Sequence, residues 1–144
     1  MKDKDFEDCL KRDKITKFAA AKKLAGRELS TAQGDLKAAQ ESLKQGNDKW
    51  ATIQAYYTMF HTARALLYSR GYREKSHYCL IAAMKALFVQ EGLLEIALVE
   101  AFQTAKTLRE NADYENEFSS DSARALVMRA EQFMTKAGKI LTSS

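Results

Sequence analysis

The sequence contains no proline and only six glycines in 144 residues. All-β folds depend on both residues for their many tight turns, so their scarcity argues against sandwiches and barrels. No apolar run approaches the ~18 residues needed to span a membrane. Two histidines and two cysteines, Cys9 and Cys79, are too few and too scattered for a zinc motif or a disulfide framework. The two cysteines are therefore expected as free thiols in or near the core, which fits a reducing cytoplasm. Met1-Lys2-Asp3-Lys4-Asp5 mixes both signs of charge without a following apolar stretch, which does not resemble a signal peptide.

What is present favours helices: abundant Ala, Leu, Lys, Glu and Gln. The net charge of +4 is mildly basic, and Lys and Arg interleave with Asp and Glu along most of the chain. The densest basic stretch, from Lys11 to Lys23, reads as a solvated helix face. No linker, repeat or low-complexity segment appears, so residues 1–144 are expected to form one domain, with residues 1–15 as a short N-terminal segment.

Apolar residues spaced three and four apart predict successive helices. A short amphipathic segment runs from Asp3 to about Arg12. A long helix follows from about Thr16 to Gln45, with a weak point near Gly26. A second main helix, about Lys49 to Arg70, carries two apolar stripes, Trp50-Ile53-Tyr57-Phe60-Leu67 and Tyr56-Met59-Ala63-Leu66. So wide an apolar face places this helix centrally. Residues 71–75 read as a loop, with Ser76 capping a helix to Glu91. Further helices run from about Leu94 to Asn111 and from a cap at Ser120 or Asp121 to Leu141. Short connections between long helices predict an all-α, up-and-down antiparallel bundle of four to five helices.

Common catalytic signatures are missing. There is no glycine-rich phosphate loop, no His-Glu-x-x-His pair and no setting for a serine nucleophile elbow. His61 sits one turn from Tyr57, Thr58, Arg64 and Ala65, so it is either a hydrogen-bonded histidine at a helix interface or a ligand contact in a groove with Tyr57 and Arg64. Around His77, the cations Arg70, Arg73 and Lys75 gather near the helix start at Ser76, a setting that suits phosphate as well as plain solvent. Arg109 and Asp113 are spaced to pair on one helix face beside Tyr114, which gives either a helix-end salt bridge or a polar site where Arg holds a phosphate.

The run from Ala55 to Leu67 (Ala-Tyr-Tyr-Thr-Met-Phe-His-Thr-Ala-Arg-Ala-Leu-Leu) resembles the signature helix of the HEPN domain family. Lys75-Ser76-His77, Phe88-Val89-Gln90-Glu91-Gly92-Leu93-Leu94 and Arg109-Glu110-Asn111-Ala112-Asp113-Tyr114 resemble its later segments in order, so the likeness extends from about Leu29 to Leu141. This resemblance implies a helical bundle, often dimeric. It implies two activities. Many small HEPN proteins pair with a minimal nucleotidyltransferase in a toxin–antitoxin-like complex. Others are metal-independent endoribonucleases whose site is an Arg, four to six residues and a His, with Arg stabilising phosphate charge and His moving a proton.

The ribonuclease pattern is incomplete here. After Arg109 come Asp113 and Tyr114 and no histidine, and an ordinary tyrosine is a poor proton shuttle at neutral pH. Arg70 and His77 have an allowed spacing, but at a different helix junction and with Gly71 after the Arg. The leading expectation is a non-catalytic HEPN module. It dimerises, works with a nucleotidyltransferase and can take a nucleotide or RNA near Tyr57, His61, Arg64, Lys75, Ser76 and Arg109, with no metal and no bound cofactor. The first alternative is a ribonuclease using Arg70 and His77, or Arg109 with Asp113 and Tyr114. The second is a helical scaffold without a ligand. The tyrosines Tyr56, Tyr57, Tyr68, Tyr72 and Tyr78 are candidates for a dimer surface.

Overall fold

The computed structural model describes residues 4–143. The expectations placed on Met1–Asp3 fall outside those residues. The elements are α1 (Lys4–Lys11), β1 (Ile15–Lys17), α2 (Ala21–Lys44), α3 (Asp48–Ser69), β2 (Tyr72–Glu74), α4 (His77–Met84), a π-helical turn (Lys85–Val89), α5 (Ile96–Tyr114) and α6 (Ser120–Thr142). The fold is all-α apart from one small ribbon.

The helix α3 is central and packs against α2, α5 and α6. Its sequence explains why. The stripe Met59, Ala63 and Leu66 is fully buried, and Ala51, Ala55, Ala32 and Ala39 are buried without exposure, so α2 and α3 can approach closely. Phe88, Phe102 and Phe133 fill the space toward α5 and α6. Each such ring contributes on the order of 3 kcal/mol by leaving water. The other stripe is only partly buried: Trp50 is 49% exposed and Tyr57 37%. Of the five candidate interface tyrosines, Tyr56 and Tyr68 are buried, Tyr72 is half-buried, and only Tyr57 and Tyr78 reach well into solvent.

Helix ends follow local chemistry. Asn47 caps α3 and accepts from the Trp50 N–H at 3.5 Å, and Ser76 caps α4 by accepting from the Cys79 N–H at 3.1 Å. Ser119 caps α6, one residue earlier than expected. The α2 helix runs through Gly26 without a break. Gly71 ends α3 at φ +85°, a conformation glycine adopts without steric cost.

Two segments differ from expectation. Thr16 belongs to a strand rather than to the start of α2, and Tyr72–Glu74 is a strand rather than a loop. The two pair antiparallel, Ile15 with Glu74 and Lys17 with Tyr72. Three-residue strands give no readable alternation, so nothing in the local pattern announces them. The helix after Ser76 changes to a π-helical turn at Lys85.

The cysteines also correct the sequence reading. Cys9 and Cys79 form a disulfide across 70 residues, with their Cα atoms 5.8 Å apart. Packing of α1 against α4 brings them together. Pairing of this kind is tertiary and leaves no spacing motif. Among the described residues no helix is long and apolar enough to cross a membrane.

Candidate functional site

The polar residues singled out in the sequence separate into three groups in space. The first is built around Tyr56, whose ring is buried in the face of α3 toward α5. A buried phenol needs a polar partner, and its hydroxyl lies 3.3 Å from His77 Nδ1 in the first turn of α4. Either group can donate, according to the histidine tautomer. His77 also packs on Phe102, with ring centroids 4.9 Å apart. Burial holds the imidazole down at a pKa of about 4, helped by the nearby positive charges of Lys106 and Arg109 and opposed by Glu110. His77 is therefore neutral at pH 7. Burial also pushes the Tyr56 phenol above its ordinary value, against the pull of Arg109.

Arg109 lies over the same ring. Its guanidinium carbon is 5.2 Å from the centroid of Tyr56 and 5.9 Å from those of Tyr57 and Tyr114, within cation–π range. Asp113 lies 3.7 Å away, the expected i,i+4 pair. The rings of Tyr57 and Tyr114 reach solvent, Tyr114 being 71% exposed. Arg109 Nε and His77 Nε2 are both buried, and neither has a hydrogen-bond partner among the described residues. One tyrosine thus joins the helix-start histidine to the helix-end arginine, which the sequence reading had treated as separate. The signal was available: Tyr56 falls in the buried stripe, so its hydroxyl had to meet a polar group from another element.

The second group lies between α2, α3 and β2. His61 Nδ1 is 2.9 Å from Glu28, and its Nε2 is 4.0 Å from Asp35. Arg64 is 3.1 Å from Glu28 and 3.4 Å from Glu74, bonds the Tyr68 hydroxyl, and lies over the rings of Phe60 and Tyr68. Burial pushes the Glu74 carboxyl up, while Arg64 pulls it back down. Both candidate ligand residues, His61 and Arg64, are thus engaged with carboxylates of their own chain. Asp35 is likewise raised by burial and lowered by His61.

The third group disperses. Arg70 lies over Phe88, 4.6 Å from the ring centroid, and lines a cleft with Lys136 and Lys139. Arg73 lies over Phe18 at 4.9 Å. Lys75 is exposed, and its N–H donates to the Lys14 carbonyl, while Ser76 is occupied as a cap. Arg70 and His77, the pair with suitable spacing, line two different clefts. The cleft at His77 has a volume of about 380 Å³ and also takes in Tyr78, Lys85, Gln103 and Lys106. Among the described residues no group of three or more His, Cys, Asp or Glu side chains could hold a metal ion.

A helical bundle with a tyrosine-bound arginine at the end of α5 is the class of structure in hand. Its family follows from comparison with known proteins. The HEPN domain model matches residues 26–140, and the chain belongs to the HEPN domain family. Two relatives from Methanocaldococcus jannaschii are similar along most of the chain. "Putative toxin MJ0605" is 29% identical over 114 residues, covering 78% of this chain and 85% of that protein. "Putative toxin MJ0142" is 26% identical over 117 residues, covering 80% of each.

Proposed function

We propose that this chain is a non-catalytic HEPN module that dimerises and acts with a minimal nucleotidyltransferase in a cytoplasmic, toxin–antitoxin-like pair. A nucleotide or RNA phosphate would be met at the Tyr57–Arg109–Tyr114 face. The supporting observation is the Arg109 guanidinium, enclosed by three tyrosine rings of which two are open to solvent. Such a face offers one fixed positive charge and flat aromatic surface, which suits recognition of a phosphate beside a base. The toxin names of the two relatives agree with a role of this type.

His77 favours binding over cleavage. A general base works best with a pKa near the working pH, and burial keeps His77 far below neutrality.

A second reading, a metal-independent endoribonuclease, draws on the shared contact of Arg109 and His77 with Tyr56. The two readings part in one experiment. Purified protein is incubated with RNA without metal, beside Arg109→Ala and His77→Ala, and the same proteins are tested for copurification with a coexpressed minimal nucleotidyltransferase. Copurification weakened by Arg109→Ala, with intact RNA throughout, is the expected result. RNA cleavage lost in either variant would replace the binding reading with the enzymatic one. Neither cleavage nor copurification would leave a scaffold without a ligand.

A further inference from the structure

The basic stretch before residue 24 is not one helix face. Lys17 ends β1, Lys14 stands just before it, and Lys22 and Lys23 fall in the first turn of α2. The ribbon brings Arg73 and Lys75 beside them. Its ladder runs one step past the strand end, since the Lys75 N–H donates to the Lys14 carbonyl at 2.8 Å. Side chains alternate between the two faces of a strand pair. Ile15 is only 1% exposed and stands opposite Glu74, so Lys14, Thr16, Arg73 and Lys75 share the outward face.

That face carries charge of one sign. Glu74 is the only carboxylate in residues 14–23 and 72–75, and it is engaged with Arg64. Lys14, Lys17, Lys22, Lys23, Arg73 and Lys75 are all exposed, and none of the six forms an ion pair with a described residue. Together they exceed the +4 net charge of the whole chain. Elsewhere Arg64, Lys106, Arg109, Arg124 and Lys136 each pair with a carboxylate. Asp5 and Asp8 share a small cleft with Arg12 and Lys14, and they bound the patch on the α1 side.

Two of these placements are unfavourable for folding alone. Lys14 and Lys75 stand opposite each other across the strands, where like charges repel. Lys22 and Lys23 oppose the dipole at the start of α2, a turn that holds no acid. A polyanion laid across the ribbon would offset both. Among the described residues none of the exposed large apolar side chains falls in 11–23 or 70–75, so the patch offers no anchor for a membrane or for an apolar protein interface. Arg73 lies over the Phe18 ring, 4.9 Å from its centroid, which holds a flat guanidinium in place for phosphate.

We propose that the outward face of the β1–β2 ribbon, with the start of α2, binds the phosphodiester backbone of single-stranded RNA without reading its bases. The choice of RNA rests on the reading of the Tyr57–Arg109–Tyr114 face, whose open rings suit unpaired bases. The chain links the two surfaces: Lys75 leads through Ser76 to His77, which contacts Tyr56, the ring that Arg109 lies over. Lys14, Lys17, Lys22 and Lys23 precede residue 26, where the family match begins, so most of this surface lies outside the matched domain.

The test follows the anisotropy of a fluorescein-labelled single-stranded RNA of mixed sequence over a range of salt. It compares the full chain, the ribbon pair Lys14→Gln with Lys75→Gln, and a pair of equal charge change at exposed positions of α2, Lys37→Gln with Lys44→Gln. At about 0.1 M salt the ribbon pair should bind roughly tenfold more weakly, and its slope of log affinity against log salt should be shallower by about 1. The α2 pair should stay within about twofold of the wild type. The ribbon pair should also melt no lower than the wild type, since a repulsion has been removed. Should it melt lower, Lys17→Gln with Lys23→Gln decides in its place. Equal losses in the ribbon and α2 pairs would reduce the effect to net charge and overturn the proposal. So would an unchanged affinity in the ribbon pair, or tighter binding to duplex DNA or to phosphatidylserine vesicles than to RNA. Arg109→Ala, measured alongside, separates the two surfaces. Loss in the ribbon pair alone would sustain the ribbon and remove RNA from the Arg109 face, and loss in Arg109→Ala alone would do the reverse.

Discussion

The hydroxyl of Tyr56 lies 3.3 Å from His77 Nδ1, and this contact couples the centre of α3 to the first turn of α4. Because Arg109 lies over the same ring from α5, one phenol of α3 touches polar residues of two further helices. Removing its oxygen should leave the rings packed and the histidine unsupported. Tyr56→Phe is expected to lower stability by about 1–2 kcal/mol, the cost of a buried polar group losing its partner. Urea unfolding of the single variants and of Tyr56→Phe with His77→Phe measures this coupling. A loss of the same size with and without His77 would show that the contact contributes nothing.

Acid should act on the molecule through His77. Its pKa falls from an ordinary 6.5 to about 4 on folding, because burial opposes the charged ring. The unfolded chain therefore takes up the proton first as pH falls. The stability this neutral histidine retains above about pH 6.5 should decline as pH falls toward about 4. Glu74 works in the opposite sense, since its raised pKa favours the folded state once it is protonated. Comparing the wild type with His77→Gln by urea unfolding from pH 7 to pH 4 isolates the histidine. An NMR titration of its ring protons with a midpoint near the ordinary histidine value would contradict the assignment.

Arg64 should prove more important to folding than to ligand binding. Glu74 has only 8% side-chain exposure and faces Arg64, which also pairs with Glu28. Arg64→Ala would strand a buried carboxylate, and the expected cost is about 3–5 kcal/mol. Arg64→Lys should retain part of the stability, because charge is kept while the forked contacts are lost. A thermal or urea midpoint for Arg64→Ala close to wild type would return this residue to the list of candidate ligand contacts.

The exposed indole of Trp50 offers a clean test of self-association. It is 49% exposed, and only its backbone N–H takes part in the Asn47 cap. Trp50→Ser should therefore change monomer stability by less than about 0.5 kcal/mol. If the exposed stripe of α3 forms the proposed dimer, the same change should weaken it by roughly tenfold or more in sedimentation equilibrium. A dimer of unchanged affinity would place the contact elsewhere.

The helices were legible because each leaves a local record. The three-and-four spacing located α3, α5 and α6 to within a few residues, and Asn47 and Ser76 marked helix starts by their own hydrogen-bonding chemistry. Burial of Trp50 and Tyr57 was misjudged because an apolar stripe does not say how much of a wide face its neighbours will cover. Among the site residues, the Arg109–Asp113 pair could be read from helix spacing alone. The contact of Tyr56 with His77 and the engagement of Arg64 with Glu28 and Glu74 could not. They join separate elements, and their partners are set by packing angles that no short window of sequence records. The disulfide was missed for the same reason.

That disulfide also gives the chain a closed covalent topology. Residues 9 to 79 form a ring holding all of α2 and α3, and α5 and α6 leave it as a tail. A protease that nicks the chain once anywhere inside the ring still leaves a single molecule, and the fragments part only on reduction. The tail carries Arg109 and Tyr114, whereas Tyr56, Tyr57 and His77 belong to the ring. The aromatic enclosure of Arg109 is thus assembled from the ring and its tail, and a cut between residues 79 and 109 would leave its halves to find each other by packing alone.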